Sequence, residues 1–211
     1  MWQALYEELK DQNFEIISAA QDTGGEAAAG PWFDKEPLTY TCIVDETHKI
    51  STLFGFVNVP SAAWIDEEGR IVRINEGTYA GKHAIGTIKF GTEVYSAAVR
   101  DWVAKGADSE YVWTPEEVAA HLKPVTDETA KAEPLFKLGV YFQQQGNEAK
   151  ATEYWEQAQA LSPWNWNYHR QDWTFEGEQA AFGNWYKKTR NMGEQLYYDP
   201  LELPGEEIAQ P

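Results

Sequence analysis

The sequence predicts an α/β domain followed by an all-α region. In residues 1–108, short apolar runs of strand length alternate with stretches whose apolar residues recur at helical spacing. In residues 109–211, the helical spacing resumes and includes one pair of helices with a recognisable packing pattern. We therefore expect two units, with a boundary near residue 108.

The first elements of the α/β unit follow from periodicity and turn residues. An amphipathic helix is predicted over residues 2–12, because Leu5 and Leu9 share one face. A buried type of strand follows at 14–20. A short helix over 26–37 is expected to be interrupted at Gly30-Pro31, since proline removes a helical hydrogen bond.

The second half of this unit contains a hairpin pattern. Two runs with strand composition flank Asp66-Glu67-Glu68-Gly69, whose residue types favour a turn. The glycines of residues 75–91 have no clear period and predict a long loop. The remaining predicted elements are a strand over 39–45, a helix over 46–56, the hairpin strands 61–65 and 70–74, and a helix over 92–105.

The all-α unit begins with a well-defined helix start. Thr114 is an N-cap residue, Pro115 occupies the first helical position and Glu117 stands three residues after the cap. Farther on, eight positions match the spacing of one tetratricopeptide-like helix pair, in which small residues allow a close crossing and large ones fill the space beside it. These positions are Leu135, Leu138, Gly139, Phe142, Ala151, Trp155, Ala158 and Pro163.

Aromatic residues crowd into the segment after this helix pair. Within residues 164–175 there are three tryptophans, one tyrosine and one phenylalanine. We interpret most of them as packing that ties the helices to the first unit, and the alternative is a ligand cage. A helix over 176–190 and an irregular tail complete the prediction.

The charge balance excludes some classes of partner. Lys and Arg total 17 against 34 Asp and Glu, so the formal net charge is −17. Such a chain repels nucleic acid phosphates and anionic membrane surfaces. No window of 18 apolar residues occurs, and the first residues lack the pattern of a signal peptide. We expect a cytoplasmic protein as the sequence stands.

Metal and cofactor sites find no support in the sequence. Cys42 is the one cysteine, which excludes an internal disulfide and a CxxC pair. The four histidines, His48, His83, His121 and His169, are scattered without metal-ligand spacing. We predict no metal and no cofactor. Cys42 falls in a predicted buried strand, where we interpret it as a small core residue, with a redox thiol as the alternative.

About half of the chain resembles a known family. The segments LYEELKDQNFEIISAAQD, TCIVD and LFGFVNVPSAAWIDEEGRIV, with the spacing between them, are similar to TlpA/ResA-type thioredoxin-like proteins, which are grouped with the AhpC/TSA redoxins. The resemblance implies a thioredoxin-like fold, thiol-disulfide exchange or peroxide reduction, and a cis bond at Val59-Pro60. It also implies that Val59 and Pro60 form a groove that binds a substrate's extended chain.

The resemblance lacks one part of the family pattern. In the family, a central strand and a WCxxC motif immediately precede the helix that here begins near Trp2. The missing strand would leave two unpaired strand edges or force them to close on each other. We expect that a strand with a Cys or selenocysteine motif lies upstream in a longer gene, in which case the protein would be periplasmic or exported.

Two functions therefore remain open at the level of sequence. The first is a redoxin-family oxidoreductase whose nucleophile is absent from this chain. The second is a redox-inactive module that holds a polypeptide with the Val59-Pro60 groove and the tetratricopeptide-like helices. In both cases the expected partner is a polypeptide, and the oligomeric state is left open.

Overall fold

The computed structural model describes residues 2–35, 37–85, 88–90 and 93–206. The chain is mixed α/β, with its strands in the first half and helices throughout. The strands are β1 (Ile17–Ala20), β2 (Thr41–Val44), β3 (Ser61–Ile65), β4 (Ile71–Glu76), β5 (His83–Ile85) and β6 (Ile88–Phe90). The helices are α1 (Trp2–Leu9), α2 (Glu26–Phe33), α3 (Lys49–Phe54), α4 (Glu93–Lys105), α5 (Pro115–His121), α6 (Asp127–Gln144), α7 (Glu148–Leu161), α8 (Trp166–Phe175) and α9 (Glu178–Thr189).

The described strands form three separate pairs. β1 and β2 are parallel, with Ile17 opposite Thr41 at one end. β3 and β4 are antiparallel, with Ser61 opposite Glu76, and their register shifts after Trp64. β5 and β6 form a third, antiparallel pair. Among the described residues, no ladder joins β1 to β3.

Two local predictions were wrong. The interval 75–91 was predicted to be a loop, but β4 extends to Glu76 and β5 and β6 follow, because strands of three residues are too short to show an alternating pattern. Residues 86, 87, 91 and 92 lie outside the described residues. Helix α2 continues through Pro31, since a proline so near the end of a helix removes one hydrogen bond and leaves the earlier turns intact.

The capping prediction for α5 is confirmed. The Thr114 hydroxyl accepts a hydrogen bond from the Glu117 backbone N–H, and the Glu117 carboxylate accepts one from the Thr114 backbone N–H. This reciprocal pair satisfies two donors that a helix start leaves without partners. The helix therefore begins where the sequence predicts.

The predicted helix pair is present as α6 and α7. Ala132, Phe136, Ala151, Trp155 and Ala158 are buried together between the two helices. Leu138, one of the eight matching positions, is 40% exposed. The close crossing of the two helices is confirmed, and the likeness to a tetratricopeptide repeat stays a prediction.

Two further apolar clusters connect distant parts of the chain. In the first cluster, Leu5, Trp64 and Val99 of the α/β unit pack with Leu201 and Leu203 of the tail. In another cluster, the tail contributes Tyr197 and Tyr198, which pack with Trp166, Trp185 and Met192. The C-terminal tail therefore packs in both clusters. In the aromatic segment 164–175, Trp166 and Tyr168 are buried, as expected of packing residues, whereas Trp164 and Phe175 are each 43% exposed.

Candidate functional site

The Val59-Pro60 peptide bond is cis, as the resemblance predicted. The Val59 N–H donates to the Asn58 side-chain oxygen at 2.9 Å, and the Val59 carbonyl accepts from the Tyr198 hydroxyl at 2.8 Å. Both peptide groups that the resemblance assigns to a substrate chain are therefore engaged by residues of the protein itself.

The tail holds this position through several contacts. The Asn58 side-chain amide, which is fully buried, donates to the Tyr197 carbonyl at 3.0 Å. Gly77 has φ +69°, and a Cβ there would lie 2.9 Å from the Tyr198 ring, so the backbone approaches the ring closely. Burial raises the pKa of Tyr198, which keeps its hydroxyl protonated as a donor to Val59. Residues 197 and 198 therefore cover the groove beside Val59 and Pro60.

Cys42 lies in β2 and is half-buried, and β2 alternates exposed and half-buried residues, so the prediction that this strand is buried was wrong. Its thiol donates to the Tyr40 carbonyl at 3.7 Å and accepts from the Ser18 hydroxyl at 3.6 Å. The exposure has a simple cause: along β2 the side chains alternate between exposed and half-buried positions. The thiol lies within the strand.

The strands β1 and β3 each have one paired edge and one open edge. The Ala20 carbonyl accepts from the Asp45 N–H at 2.8 Å, on the side of β2. Because backbone groups alternate in direction along a strand, those of Ile17 and Ala19 point away from β2. Within the described part of the chain, no backbone group bonds to this second edge of β1.

The same reasoning identifies the open edge of β3. The Pro60 carbonyl accepts from the Gly77 N–H at 2.7 Å, so Pro60 forms a hydrogen-bonded pair with Gly77, the residue that follows β4. Alternation then directs the backbone groups of Ser61 and Ala63 away from β4. They too have no backbone partner among the residues that the structure describes.

Both strands are held between the same two anchor points. Just before β1, the Asn13 side-chain amide donates to the Glu67 carboxylate, just after β3, at 3.0 Å. At the opposite end, helix α8 contacts the segment before β3 and the segment after β1. The Asn167 N–H donates to the Val57 carbonyl at 3.2 Å, and the Gln171 side-chain oxygen accepts from the Thr23 N–H at 2.9 Å. β1 and β3 therefore run in opposite directions between these two sets of contacts, which together are called the frame.

The sequence did not single out the residues that build this frame. It anticipated two open strand edges but named neither Ala19 nor Ala63, because alanines in strands carry no chemical signal. Asn167 and Gln171 were also missed. Their spacing of four residues on an aromatic helix is the feature that could have identified them as one polar face.

Two buried histidines elsewhere have structural partners, while the His48 Nδ1 and the Gln171 side-chain nitrogen have no hydrogen-bond partner among the described residues. The His48 Nε2 lies 2.7 Å from the Gln171 side-chain oxygen and 3.3 Å from the Thr23 hydroxyl, and burial lowers the His48 pKa. Burial also lowers the pKa of His169 to about 4, so the neutral ring donates to the Pro163 carbonyl at 3.0 Å. These histidines hold helices and loops together in their neutral form.

A small cleft of about 40 Å³ lies near Phe56, Glu76 and His121. One Glu76 carboxyl oxygen accepts from the Val57 N–H at 3.1 Å, and burial raises the pKa of that carboxyl. Lys123 and Asp199 form an ion pair at the same cleft. The cleft is large enough for one or two water molecules.

The residues that the structure describes contain no group of three or more His, Cys, Asp or Glu side chains placed to hold a metal ion. They also contain no helix that is both long and apolar enough to cross a bilayer.

Comparisons with protein-family models, with curated proteins and with solved structures found no match to this chain. The thioredoxin-like resemblance accordingly stays a prediction.

Proposed function

We propose that this protein is a redox-inactive module that binds an extended segment of another polypeptide by strand addition. The observation that carries the proposal is the pair of open strand edges on β1 and β3. An unpaired edge presents a row of N–H and C=O groups that can form a ladder with an added chain. Backbone hydrogen bonds then supply affinity without requiring a catalytic group.

The proposed binding surface differs from the one that the resemblance implies. The Val59 carbonyl and N–H have partners at 2.8 and 2.9 Å; releasing the carbonyl would require the buried Tyr198 to leave its position, and releasing the N–H would require the buried Asn58 side chain to turn away. The backbone groups of Ala19 and Ala63 need no such rearrangement. Strand addition is therefore favoured at β1 and β3 over the groove beside Pro60.

The position of the one cysteine favours binding over redox chemistry. Thiol-disulfide exchange needs a thiolate and a second thiol to resolve the mixed disulfide. Cys42 has no second cysteine in the sequence and lies within β2. The redoxin-type oxidoreductase activity therefore requires a nucleophile from outside these 211 residues. We expect Cys42→Ser to bind peptide as the wild type does.

A direct binding measurement tests the proposal. The probe is a fluorescein-labelled ten-residue peptide with alternating valine and threonine at its centre and two lysines at each end. The matched control has proline at every second central position, which prevents a ladder. We expect fluorescence polarisation to rise and saturate with the first peptide alone. Absence of saturation with either peptide up to about 1 mM protein would overturn the proposal.

A further inference from the structure

The outer face of helix α9 carries an exposed aromatic ridge. Phe182 is 49% exposed, and Tyr186, about one turn farther on, is 44% exposed. Their rings stack with centroids 6.5 Å apart, and the Arg190 guanidinium lies 6.0 Å from the Tyr186 ring centroid. Side chains spaced four residues apart form a continuous row on a helix surface, so these three residues make one ridge.

A buried neighbour holds the ridge in place. The Phe182 ring packs against the Trp185 ring at 5.6 Å, and Trp185 is 7% exposed in the cluster that contains Met192. Because the aromatic rings contact each other and this buried indole, their positions are restricted before a partner arrives. Aromatic side chains restricted in this way lose little conformational entropy on binding, which favours a role at an interface.

Gly183 leaves a shallow groove beside the ridge. It lies in the interior of α9, where glycine weakens a helix, and nothing in the described chain lies within 4 Å of a Cβ built there. The absence of a side chain therefore serves no close contact within this chain. Helices pack with the ridge of one in the groove of the other, and a small residue allows a close approach. The ridge and the groove together fit an added helix.

The charge of this face is opposite to that of the whole molecule. Segment 179–193 contains three basic residues and no acidic one, in a chain of net charge −17. Lys187 and Arg190 are exposed, and neither forms an ion pair within the described residues. Glu178, at the first position of α9, lies about 18 Å from Arg190 along the helix axis. The C-terminal half of the face is therefore basic.

We propose that this face of α9 binds an amphipathic helix of a different protein, with apolar side chains one turn apart and carboxylates beside them. The apolar side chains would pack against the ridge and into the groove at Gly183, and the carboxylates would lie against Lys187 and Arg190. At about 0.15 M ionic strength, charges more than about 8 Å away are largely screened, so the local basic groups outweigh distant acidic ones. This surface is separate from the strands 17–20 and 61–65 of the proposed function.

Charge also decides against two other partners. Aromatic and basic side chains together can bind single-stranded nucleic acid, but the net charge of the chain opposes a phosphate backbone that extends beyond this face. In a symmetric pair of copies, α9 would face α9, and residues 179–190 have no carboxylate to meet Lys187 or Arg190. An acidic helix meets both the aromatic and the basic part of the face.

Binding of a designed helix tests the proposal. The probe is a fluorescein-labelled, alanine-rich peptide of about 18 residues, which is long enough to form a helix alone. It has leucine at helical spacing on one face and glutamate on both sides of the leucines. One control peptide has glutamine for each glutamate, and another has a scrambled order with no apolar face. We expect saturable binding of the acidic helix, and affinities at least about tenfold lower for both controls.

Variants of α9 locate the binding site. Tyr186→Ala removes the centre of the ridge and Lys187→Glu reverses a charge, so each should lower the affinity for the acidic helix by about tenfold. Gly183→Leu fills the groove with a residue that favours helix formation. Binding by close packing should then weaken by about tenfold, whereas non-specific adhesion should strengthen with an added leucine.

Two matched variants serve as controls. Leu53→Ala removes an exposed apolar side chain from α3, and Lys131→Glu makes the same charge reversal at an exposed position on α6. Both should change the affinity for the acidic helix by less than about twofold. Circular dichroism verifies that every variant folds. The variants of α9 should still bind the valine–threonine peptide, so failure of this proposal is distinguishable from failure of the proposed function.

Several results would overturn the proposal. One is absence of saturation with the acidic helix up to about 1 mM protein, and another is equal affinity for the acidic and glutamine peptides. Unchanged binding by folded Tyr186→Ala, or stronger binding by Gly183→Leu, would have the same force. Tighter binding of a labelled oligothymidine of about 12 nucleotides would assign the face to nucleic acid. Dimerisation that Tyr186→Ala abolishes, measured by sedimentation, would assign it to a second copy. If a variant does not fold, the peptide series decides.

Discussion

Gly139 shows how a single residue fixes the crossing of two helices. A Cβ at this position would lie 2.3 Å from two atoms of the Trp155 indole, much closer than real carbon contacts allow. The indole is 1% exposed and packs beside Phe136. Helix α7 can therefore approach α6 only because residue 139 has no side chain.

The first prediction concerns Gly139→Ala. The added methyl group forces the indole or the helix axis to move, and we expect a loss of about 1–3 kcal/mol in the free energy of unfolding. Gly183→Ala is the matched control, since nothing lies within 4 Å of its Cβ and alanine favours α9 by about 0.5–1 kcal/mol. Urea unfolding followed by circular dichroism measures both. A neutral Gly139→Ala would contradict the close packing.

At the scale of the element, β1 and β3 each have one edge whose backbone groups have no backbone partner among the described residues. Edge strands in stable proteins are generally protected by charge, bulges or a covering segment. The register shift at Trp64 in β3 is one such irregularity. Ile17 and Ala19 have no comparable protection, which is consistent with an edge that accepts a partner.

Hydrogen exchange should distinguish the open edges from the paired ones. The N–H of Ala62 points toward β4 and that of Ala20 toward β2, whereas those of Ala63 and Ala19 point away. We expect the amides of Ala19 and Ala63 to exchange faster than those of their neighbours, on the order of tenfold. Nuclear magnetic resonance of the free protein measures all four. Equal protection would mean that the open edges are covered in solution.

The sequence predicted elements well where one residue type carries the information. The capped start of α5 follows from Thr114 and Glu117, and the α6–α7 crossing from Gly139 and Trp155. Prediction from the sequence failed where the contacts that determine the structure join residues far apart in the chain. Nothing local to Val59 indicates that Tyr198 would bond to its carbonyl, and strands as short as β5 and β6 show no period.

At the scale of the whole molecule, the tail makes the two predicted units depend on each other. Leu201 and Leu203 are 6% exposed in the cluster that contains Leu5 and Trp64. The Arg73 guanidinium, also buried, donates to the Leu201 carbonyl. Residues near the C-terminus thus complete a core that the sequence assigns to residues 1–108.

Truncating one of these tail residues should therefore destabilise the α/β unit. We expect Leu203→Ala to lower the free energy of unfolding by about 2–5 kcal/mol through loss of buried contacts. Leu53→Ala, at a position that is 70% exposed, serves as control and should change it by less than about 0.5 kcal/mol. Chemical denaturation with tryptophan fluorescence measures both. Equal effects of the two substitutions would show that the tail does not contribute to the core of the α/β unit.

Helix α8 bonds to the segment that follows β1 and to the segment that precedes β3. Asn167 and Gln171 are about one helical turn apart, about 6 Å along the axis. Asn167 bonds to Val57, before β3, and Gln171 bonds to Thr23, after β1. A displacement of Thr23 relative to Val57 would therefore tilt this helix or break one of the two hydrogen bonds. Because Trp166 adjoins Asn167 and packs edge-on against Tyr197 at 4.7 Å, such a tilt would reach the C-terminal helices as a mechanical displacement. The helix would then transmit the displacement, and the fluorescence of the Trp166 indole would report it.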